Sequence, residues 1–205
     1  NFRSNLATGF ESASYEVIFI IPYDGKYSKK LQAKFKCYNL SLDAKSLNPA
    51  KDIKTLISLL NICKQASPDL ICNFSIKPNI YGSFVAKILS IPSINNISGL
   101  GTLFINKSLS TYVVKLLYRS SLSFSSLVFF QNTKDQSFFL DNKLAKKTKS
   151  RLIPGSGVDL ERFKPSKSTI KNDKFVFLLI SRLLRDKGVY EFIDAIRIIK
   201  KDCPE

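Results

Sequence analysis

Residues 70–97 read LICNFSIKPNIYGSFVAKILSIPSINNI, and this stretch decides the fold class. It opens on the apolar run Leu70-Ile71-Cys72, continues through a helical pattern at 78–90, and returns to apolar positions at Ile94 and Ile97. Short apolar runs of this kind are typical of strands that are buried on both faces. A strand, a helix and a second strand in succession predict a right-handed crossover between two parallel strands.

The same alternation extends to both sides of this stretch. Further apolar runs predict strands at Val17–Ile21, Leu127–Phe130, Arg151–Ile153 and Phe175–Ile180. Helical patterns accompany these strands at 2–11, 51–66, 109–124, 133–144 and 187–201. Because buried strands alternate with helices, we predict an α/β fold with a doubly wound parallel sheet.

A polar segment divides the chain towards its end. Residues 164–174 read KPSKSTIKNDK, with one proline and a single isolated isoleucine, which is typical of a linker. We therefore predict a Rossmann-like N-terminal domain at 1–164 whose first strand is missing, and a linker at 165–174. Residues 175–205 are predicted to be the truncated start of a second Rossmann-like domain. A chain that opens on Asn rather than Met and stops just after a helical pattern is expected to be a fragment.

Composition excludes several kinds of site. The 205 residues carry 32 Lys and Arg against 16 Asp and Glu, a formal net charge of +16, and no histidine. Without histidine, His-dependent triads and HExxH zinc sites are excluded from this chain. The four cysteines are widely spaced and form no CxxC pair, so we predict reduced thiols in a cytoplasmic protein. No run approaches the roughly 20 apolar residues of a membrane-spanning helix.

The segment Leu178–Ala195 combines a predicted buried strand, a charged turn and an amphipathic helix. Ligands of open α/β sheets bind beyond the carboxyl ends of the strands, where helix N-termini offer free N–H groups. We therefore predict that Arg182 and Lys187 hold an anionic ligand. On spacing alone, the alternative stays open that both are solvated surface charges and that Asp186 caps the helix.

Two glycines flank Ser156 in the segment Ile153–Phe163, directly after a predicted strand. Gly155 and Gly157 predict a tight turn whose backbone N–H groups approach a ligand, with Asp159 within reach. A domain-exit loop, in which glycine merely allows a positive φ, is the alternative.

Glycines also mark the neighbourhood of the opening stretch. Gly82 lies inside the predicted helix 78–90, and Gly99 and Gly101 follow the next strand, which indicates close backbone approaches. A GxG pair without a third glycine is weak evidence for a dinucleotide site.

Four motifs occur in a fixed order along the chain. They are Lys77-Pro78-Asn79-Ile80-Tyr81-Gly82-Ser83, Ser98-Gly99-Leu100-Gly101 with Phe104, Gly155-Ser156-Gly157-Val158-Asp159 with Arg162-Phe163, and Ser181-Arg182-Leu183 with Lys187-Gly188. Together they resemble the family 4 glycosyltransferases of the GT-B fold, in the bacterial branch that builds lipid-linked or surface polysaccharides. The resemblance covers nearly all of this chain but only part of the family's full length.

The resemblance implies a retaining glycosyltransferase that needs no metal ion. Such an enzyme moves a hexose or N-acetylhexosamine from a UDP- or GDP-sugar to a lipid-linked saccharide or polysaccharide acceptor. Arg182 and Lys187 match the pair that binds the donor diphosphate and stabilises the leaving nucleotide. Further matched positions are the interdomain cleft at Gly155, Ser156, Gly157 and Asp159, and the acceptor-side loops at Asn79, Gly82, Gly99 and Gly101.

The chain also departs from the family pattern. The family's Gly-rich N-terminal loop and its paired glutamates, E-x7-E, fall outside these residues. No residue present matches a catalytic base, and we expect the fragment alone to be inactive.

Two basic elements indicate contact with a membrane. Residues 143–151 carry four lysines and one arginine with no acidic residue between them. The predicted helix 109–124 places Lys115 and Arg119 opposite an apolar stripe of Leu109, Tyr112, Val113, Leu116 and Leu117. Basic amphipathic helices lie in membrane interfaces, so we predict peripheral association with an anionic inner membrane face. An ordinary sheet-covering helix beside solvated lysines is the alternative.

Other functions fit parts of the sequence. A nucleic-acid-binding module would use the positive charge, the 16 phenylalanines and the 8 tyrosines. Many of these aromatics lie in core-like runs, however, and no helix-turn-helix, RNP or zinc motif occurs, so we predict no nucleic-acid partner. A nucleotide-sugar 2-epimerase shares the GT-B fold but normally relies on His and carboxylate acid–base groups. An inactive, truncated gene product is a further alternative.

Overall fold

The computed structural model describes residues 3–43, 48–100, 109–165 and 176–203. Within these ranges, the chain forms seven α-helices and six strands. The helices are α1 (Ser4–Ser12), α2 (Lys26–Gln32), α3 (Pro49–Ala66), α4 (Ile76–Leu89), α5 (Leu109–Phe124), α6 (Thr133–Asp141) and α7 (Val189–Asp202). The strands are β1 (Ile18–Ile21), β2 (Lys36–Asn39), β3 (Ile71–Phe74), β4 (Ser93–Ile97), β5 (Leu127–Phe130) and β6 (Ser150–Leu152). The chain divides into two compact units, Asn1–Asp159 and Leu160–Glu205.

The strands of the first unit are parallel, and the described ones form two sheets. β1 pairs with β2, while β3, β4, β5 and β6 lie side by side in that order. The predicted α/β class with parallel strands is therefore confirmed. The strands do not form the single sheet that the sequence predicts. Among the residues described, no backbone ladder joins β1 to β3.

Most elements lie where their apolar patterns predict them. Helix α5 and strand β5 occupy the predicted ranges 109–124 and 127–130. Helix α3 begins two residues before its predicted start because Asn48 caps it. The Asn48 side-chain oxygen accepts hydrogen bonds from the N–H groups of Ala50 at 3.0 Å and Lys51 at 3.4 Å. Such a cap satisfies donors that the first helical turn leaves unpaired.

The sequence prediction missed two elements, α2 and β2. Helix α2 reads KYSKKLQ and is only seven residues long, which is too short and too polar for a clear amphipathic pattern. Strand β2 reads KCYN and pairs with β1 in the register Ile18 to Lys36 through Ile21 to Asn39. Because the ladder is made by backbone groups, a search for apolar runs misses a strand of this kind.

Two buried clusters hold the first unit together. The larger cluster brings Tyr118 of α5, Phe130 of β5 and Phe139 of α6 into contact. Their rings meet edge to face, with the centroid of Phe139 5.2 Å from that of Tyr118 and 5.3 Å from that of Phe130. The smaller cluster contains Leu40, Leu59, Cys63 and Val85. Tyr81 packs against both clusters, so helix α4 connects the two halves of the unit.

The second unit contains α7, preceded by the short 3-10 turn Arg185–Lys187. The predicted helix at 187–201 is thereby confirmed. The predicted strand at 175–180 is wrong for residues 176–180, which form no ladder with any part of the chain that the structure describes. Leu178 is 75% exposed and Ile180 is 85% exposed. An apolar run becomes a buried strand only where neighbouring strands pair with it. The described residues of this unit include no strand that could pair with 176–180. The predicted linker lies mostly outside the described residues.

Candidate functional site

The carboxyl ends of β3, β4, β5 and β6 lie along one edge of the four-stranded sheet. Helices α4 and α6 begin at the same edge, directly after β3 and β5. Open α/β sheets bind their ligands beyond this edge. We call the segments 75–79, 98–100, 131–132 and 153–159 the carboxyl edge.

A pair of hydrogen bonds crosses the carboxyl edge from β4 to the segment after β6. Gln131 Nε2 donates to Asn96 Oδ1 at 3.2 Å and to Ser156 Oγ at 2.9 Å. Asn96 is buried, whereas Ser156 is exposed. The sequence prediction contained Ser156 but neither Asn96 nor Gln131. A polar side chain directly after the apolar strand β5 is the signal that points to Gln131, whereas Asn96 lies inside the mixed strand β4 and has no such signal.

The predicted glycine turn is present at the end of β6. Gly155 has a φ of 93° and Gly157 a φ of 75°, a conformation that glycine adopts without the steric cost that a Cβ atom brings. Within the described residues, the backbone N–H groups of 155–158 have no intramolecular acceptor. The turn therefore presents backbone donors at the carboxyl edge. Asp159 is half-buried at the end of the first unit.

Asn79 lies in the interior of the first unit, which corrects its predicted place on an acceptor-side loop. It belongs to the first turn of α4 and is 1% exposed. Asn79 Nδ2 donates to the backbone oxygen of Asn96 at 3.1 Å, and Ser83 Oγ donates to the backbone oxygen of Asn79 at 2.7 Å. The first bond fastens α4 to β4 and the second lies within α4, so Asn79 supports the carboxyl edge from within the fold.

Gly82 is also buried, so the second predicted acceptor-side position is corrected in the same way. A Cβ atom at Gly82 would overlap Asn73 Oδ1 and would lie 2.6 Å from Asn73 Cγ. Asn73 is a buried residue of β3. The glycine in this motif therefore permits close packing of helix α4 on the sheet.

The Gly82→Ala variant is expected to lose about 1–3 kcal/mol in its free energy of unfolding, because the added methyl group overfills the space beside Asn73. Gly9→Ala is the matched control. Gly9 lies in α1, and a Cβ atom there meets nothing within 4 Å. The control is expected to gain up to about 1 kcal/mol, since alanine is the better helix former. Urea unfolding followed by circular dichroism measures both, and an unchanged midpoint for Gly82→Ala would contradict the packing role.

Gly99 follows β4 and is exposed at the carboxyl edge, where the resemblance places an acceptor-side loop. Gly101 lies outside the described residues. Of the predicted acceptor-side positions that the structure describes, Gly99 is therefore the exposed one.

An ion pair that the sequence prediction missed links the first turns of α3 and α4. Lys77 Nζ lies 2.6 Å from Asp52 Oδ1, and both side chains are mostly buried. Burial, together with the charge of Asp52 and a hydrogen bond to it, raises the pKa of the Tyr81 phenol well above its ordinary value. Asp52 thus contacts two residues of the KPNIYGS motif and fixes the start of α4. No sequence signal points to this pair, because its members are 25 positions apart.

In the second unit, Arg182 and Lys187 lie in the turn that leads into α7. Both residues are exposed, and Lys187 Nζ is 3.6 Å from Asp186 Oδ2. Gly188 occupies the N-cap position of α7 with a φ of 70°, and no side chain caps the helix. The alternative role of Asp186 as the cap is therefore wrong. The first turn of α7 keeps backbone N–H groups that can meet an anion.

The outer face of α5 exposes apolar side chains. Its inner face packs within the larger cluster against the four-stranded sheet. Tyr112, Val113 and Leu116 are 68%, 47% and 56% exposed. Leu117 packs against the larger cluster, and nothing is described for the side chain of Leu109. Three of the five predicted stripe residues thus face outward.

A basic cavity lies beside the same helix. Its volume is about 300 Å³, and its cationic lining residues are Arg119, Lys143 and Lys146. Among the described residues, no carboxylate pairs with any of these three side chains. Their charges therefore remain available to an anion from outside the chain.

Two other members of the basic run, Lys149 and Arg151, contact the protein itself. Lys149 Nζ donates to the backbone oxygens of Ser123 at 2.9 Å and Ser125 at 2.6 Å, where α5 ends. Burial, and to a smaller extent the charge of Lys146, lowers the pKa of Lys149. Arg151 donates to the backbone oxygens of Thr148 and Ser150. Within the basic run, Lys149 and Arg151 therefore bind backbone oxygens of the protein, whereas Lys143 and Lys146 line the cavity and remain available to an anion.

Two classes of site are absent from the residues that the structure describes. No cluster of three His, Cys, Asp or Glu side chains is placed to hold a metal ion there. None of the helices in these ranges has both the length and the apolarity to cross a bilayer.

The four cysteines are free thiols, and burial raises the pKa of Cys63 to about 11.

The sequence is similar to known glycosyltransferases over most of its length. It is 28% identical over 217 residues to the N,N'-diacetylbacillosaminyl-diphospho-undecaprenol alpha-1,3-N-acetylgalactosaminyltransferase of Campylobacter jejuni, covering 98% of this chain and 57% of that protein. It is 24% identical over 200 residues to the UDP-Gal:alpha-D-GlcNAc-diphosphoundecaprenol alpha-1,3-galactosyltransferase of Escherichia coli, covering 90% of this chain and 50% of that protein. The chain spans about half the length of these curated relatives.

The fold is also similar to that of solved structures. The crystal structure of Anabaena Alr3699/HepE in complex with UDP and glucose matches with a TM-score of 0.59 and 15% identity, over 80% of this chain and 42% of that chain. This likeness confirms the predicted GT-B type of fold. Residues 2–132, more than half of the chain, match the family model described as glycosyl transferase 4-like. The chain therefore belongs to the glycosyl transferase 4-like family.

Proposed function

We propose that the complete protein is a retaining glycosyltransferase that moves a hexose or N-acetylhexosamine from a nucleotide sugar to a lipid-linked acceptor in surface glycan biosynthesis. One observation carries this proposal. Two curated relatives, matched over 98% and 90% of the chain, are both named for sugar transfer to a diphosphoundecaprenol-linked sugar. Family membership favours this function over the epimerase and the nucleic-acid-binding alternatives.

The charged turn before α7 is the proposed donor site. The planar guanidinium of Arg182 and the point charge of Lys187 both suit diphosphate oxygens, and the N-terminus of α7 adds partial positive charge. Negative charge accumulates on the nucleoside diphosphate as its bond to the sugar breaks. Fixed positive groups stabilise that charge more strongly than they stabilise the intact donor, so they lower the barrier to transfer.

The nucleotide is proposed to be UDP or GDP, and no metal ion is required. A structure of similar fold contains UDP and glucose, which supports UDP. On the acceptor side, the exposed Gly99 is proposed to face the substrate. Asn79 and Gly82 support this edge from the interior.

Transfer can be tested directly with the complete protein. It is incubated with a panel of UDP- and GDP-sugars and a synthetic polyprenyl-diphosphate-linked saccharide, and the acceptor is then examined by mass spectrometry. The acceptor is expected to gain the mass of one hexose or N-acetylhexosamine, with chelator present throughout. An acceptor that keeps its mass with every donor would refute the proposal.

We also propose that the protein docks on the anionic cytoplasmic face of the plasma membrane. The outer face of α5 supplies Tyr112, Val113 and Leu116 for insertion among the headgroups. The cations of the adjacent cavity contact anionic lipid, where each Lys or Arg near the surface adds about 1 kcal/mol. An enzyme whose acceptor is anchored in a bilayer needs a surface of this kind.

We further propose that one more parallel strand lies between β1 and β3 in the complete protein. Ile20 of β1 and Ile71 of β3 pack against the same buried cluster, although no ladder joins their strands among the described residues. An unpaired strand edge invites pairing, and one inserted strand would unite both sheets. A structure of the complete protein is expected to show one continuous sheet, and two separate sheets would contradict this.

A further inference from the structure

The basic cavity beside α5 is lined in part by the segment 142–149, which is fastened to α5 at both of its ends. Lys115 Nζ of α5 donates to Asn142 Oδ1 at 3.0 Å. Lys149 Nζ donates to two backbone oxygens where α5 ends, at 2.9 Å and 2.6 Å. Between these two ties, Leu144 is 4% exposed and packs in the larger cluster. The fold itself therefore holds the walls of the cavity in place, so a ligand needs to order little when it binds.

The cations of this cavity have no acidic neighbour in its wall. Arg119, Lys143 and Lys146 line the cavity, and none of the described lining residues is an Asp or a Glu. Burial, followed by the charge of Lys146, lowers the pKa of Lys149, so a fourth cation lies close enough to be repelled. Because the wall is fixed, these like charges cannot move far apart, and a bound anion would relieve their repulsion.

The size and charge of the cavity indicate which kind of anion suits it. Its volume is about 300 Å³, at the lower end of the range of roughly 300–1,000 Å³ that ligand pockets span. A phosphate diester carries a single negative charge, whereas a phosphate monoester carries about −1.5 to −2 charges at pH 7. Three lining cations therefore match a phosphate monoester better than they match a diester.

Apolar side chains on the same helix favour a lipid as the carrier of that phosphate. Tyr112 and Leu116 are 68% and 56% exposed on the outer face of α5. Leu116 precedes Arg119 by three positions, and residues at this spacing are neighbours on the surface of a helix. A free phosphate ion would leave this apolar surface in water. A lipid places its headgroup beside the cations and its apolar part beside the helix.

We propose that the basic cavity is a pocket for one phosphate monoester headgroup of a membrane lipid, bound by Arg119, Lys143 and Lys146. This inference rests on the proposed membrane docking and deepens it. To the general attraction of cations for an anionic surface it adds a saturable site of defined chemistry.

The first test compares two kinds of vesicle with the complete protein. One contains phosphatidic acid, a phosphate monoester, and the other contains phosphatidylglycerol, a diester, in the same neutral background and at equal zeta potential. Cosedimentation is expected to show about tenfold tighter binding to phosphatidic acid, as for one additional charge-assisted contact of about 1.4 kcal/mol. Equal binding to both vesicles would show that only surface charge matters, and the pocket would be refuted.

A second test fills the cavity without changing any charge. Ser123 lines the cavity and is exposed, so Ser123→Phe places a ring in the space for the phosphate. This variant is expected to bind both kinds of vesicle equally well. Ser137→Phe is the matched control, because it adds the same ring at an exposed position of α6 that does not line the cavity. A preference for phosphatidic acid that survives in Ser123→Phe, or that disappears in Ser137→Phe, would overturn the proposal.

Arg119→Gln provides the second variant, because Arg119 is exposed and its loss leaves the core intact. It removes one cation from the pocket and is expected to abolish most of the preference for phosphatidic acid. Thermal unfolding of each preparation shows whether the protein is folded. If Ser123→Phe does not fold, the result for Arg119→Gln decides, and an unchanged preference in that variant would contradict the assigned pocket.

A measurement without membranes separates the pocket from sugar transfer and from docking. Soluble dihexanoyl phosphatidic acid is titrated into ¹⁵N-labelled complete protein, and the amide signals of Lys143 and Lys146 are expected to shift saturably. Inorganic phosphate is expected to bind much more weakly, because it lacks the apolar part. Equally tight binding of inorganic phosphate would show that the ligand is a free anion, and no shift with either compound would refute the pocket. A protein that transfers no sugar would refute the proposed function, and this titration would still decide whether the pocket exists.

Discussion

Replacing Arg182 by alanine in the complete protein is expected to lower the kcat for sugar transfer about 10²–10³-fold, and Lys187→Ala is expected to act similarly. Each substitution removes a positive group that we propose faces the charge developing on the leaving diphosphate. Both residues are exposed, so the melting temperature is expected to stay within about 2 °C of the wild type. Steady-state kinetics and thermal unfolding of the same preparations measure the two effects separately.

Arg197→Ala supplies the matched control for this experiment. Arg197 is an exposed arginine of α7 whose partner is Asp194, 3.1 Å away and one helical turn back. An exposed pair of this kind contributes about 0–1 kcal/mol, and the variant is expected to keep wild-type turnover. Arg182→Lys is expected to be intermediate, because lysine keeps the charge but loses the planar fork. Near wild-type rates in both alanine variants would show that the donor-phosphate assignment is wrong.

Reversing the charges of the basic cavity is expected to lower membrane binding by at least about 100-fold. The variant combines Arg119→Glu, Lys143→Glu and Lys146→Glu, and each of these cations contributes about 1 kcal/mol near an anionic surface. Cosedimentation with phosphatidylglycerol-rich vesicles at about 0.1 M salt measures the partition coefficient, since stronger screening would hide part of the effect. Replacing Tyr112 and Leu116 by serine is expected to weaken binding independently of salt, because that change removes inserted apolar surface.

The matched control makes the same change in net charge elsewhere. Lys29→Glu, Lys30→Glu and Lys34→Glu reverse three exposed lysines in and after α2. If the cavity is the contact surface, this control keeps most of the wild-type binding. Equal losses in both triple variants would show that binding follows total charge, and a wild-type protein that stays in the supernatant would refute docking altogether.

The spacing of apolar residues predicted most of the helices and strands, because that spacing reflects which positions of an element are buried. Helix α5 and strand β5 occupy their predicted ranges, and β3, β4 and β6 lie within a few residues of theirs. The apolar pattern gave a wrong prediction where a segment pairs in a sheet without being apolar, or is apolar without pairing. Strand β2 is polar yet paired, whereas residues 176–180 are apolar yet unpaired among the described residues. Pairing depends on neighbours that are remote in sequence, which no local window contains.

The candidate site shows the same division. The motif glycines Gly155 and Gly157 do adopt positive φ at the carboxyl edge. The motif residues Asn79 and Gly82, by contrast, lie inside the fold, because one bonds to β4 and the other makes room for Asn73. A family motif marks a position without stating whether its side chain meets the substrate or the protein core.

By itself, the sequence determined the α/β class, the order of most of its strands and helices, the charge of the turn before α7 and the absence of histidine chemistry. These properties follow from local spacing and composition, which each segment carries with it. Only the tertiary structure decided that Gln131 joins Asn96 to Ser156, that Asp52 pairs with Lys77, and which lysines of the basic run stay available. Such contacts connect residues 24 or more positions apart, and they exist only because parallel strands bring their carboxyl ends to one edge and helices pack beside them.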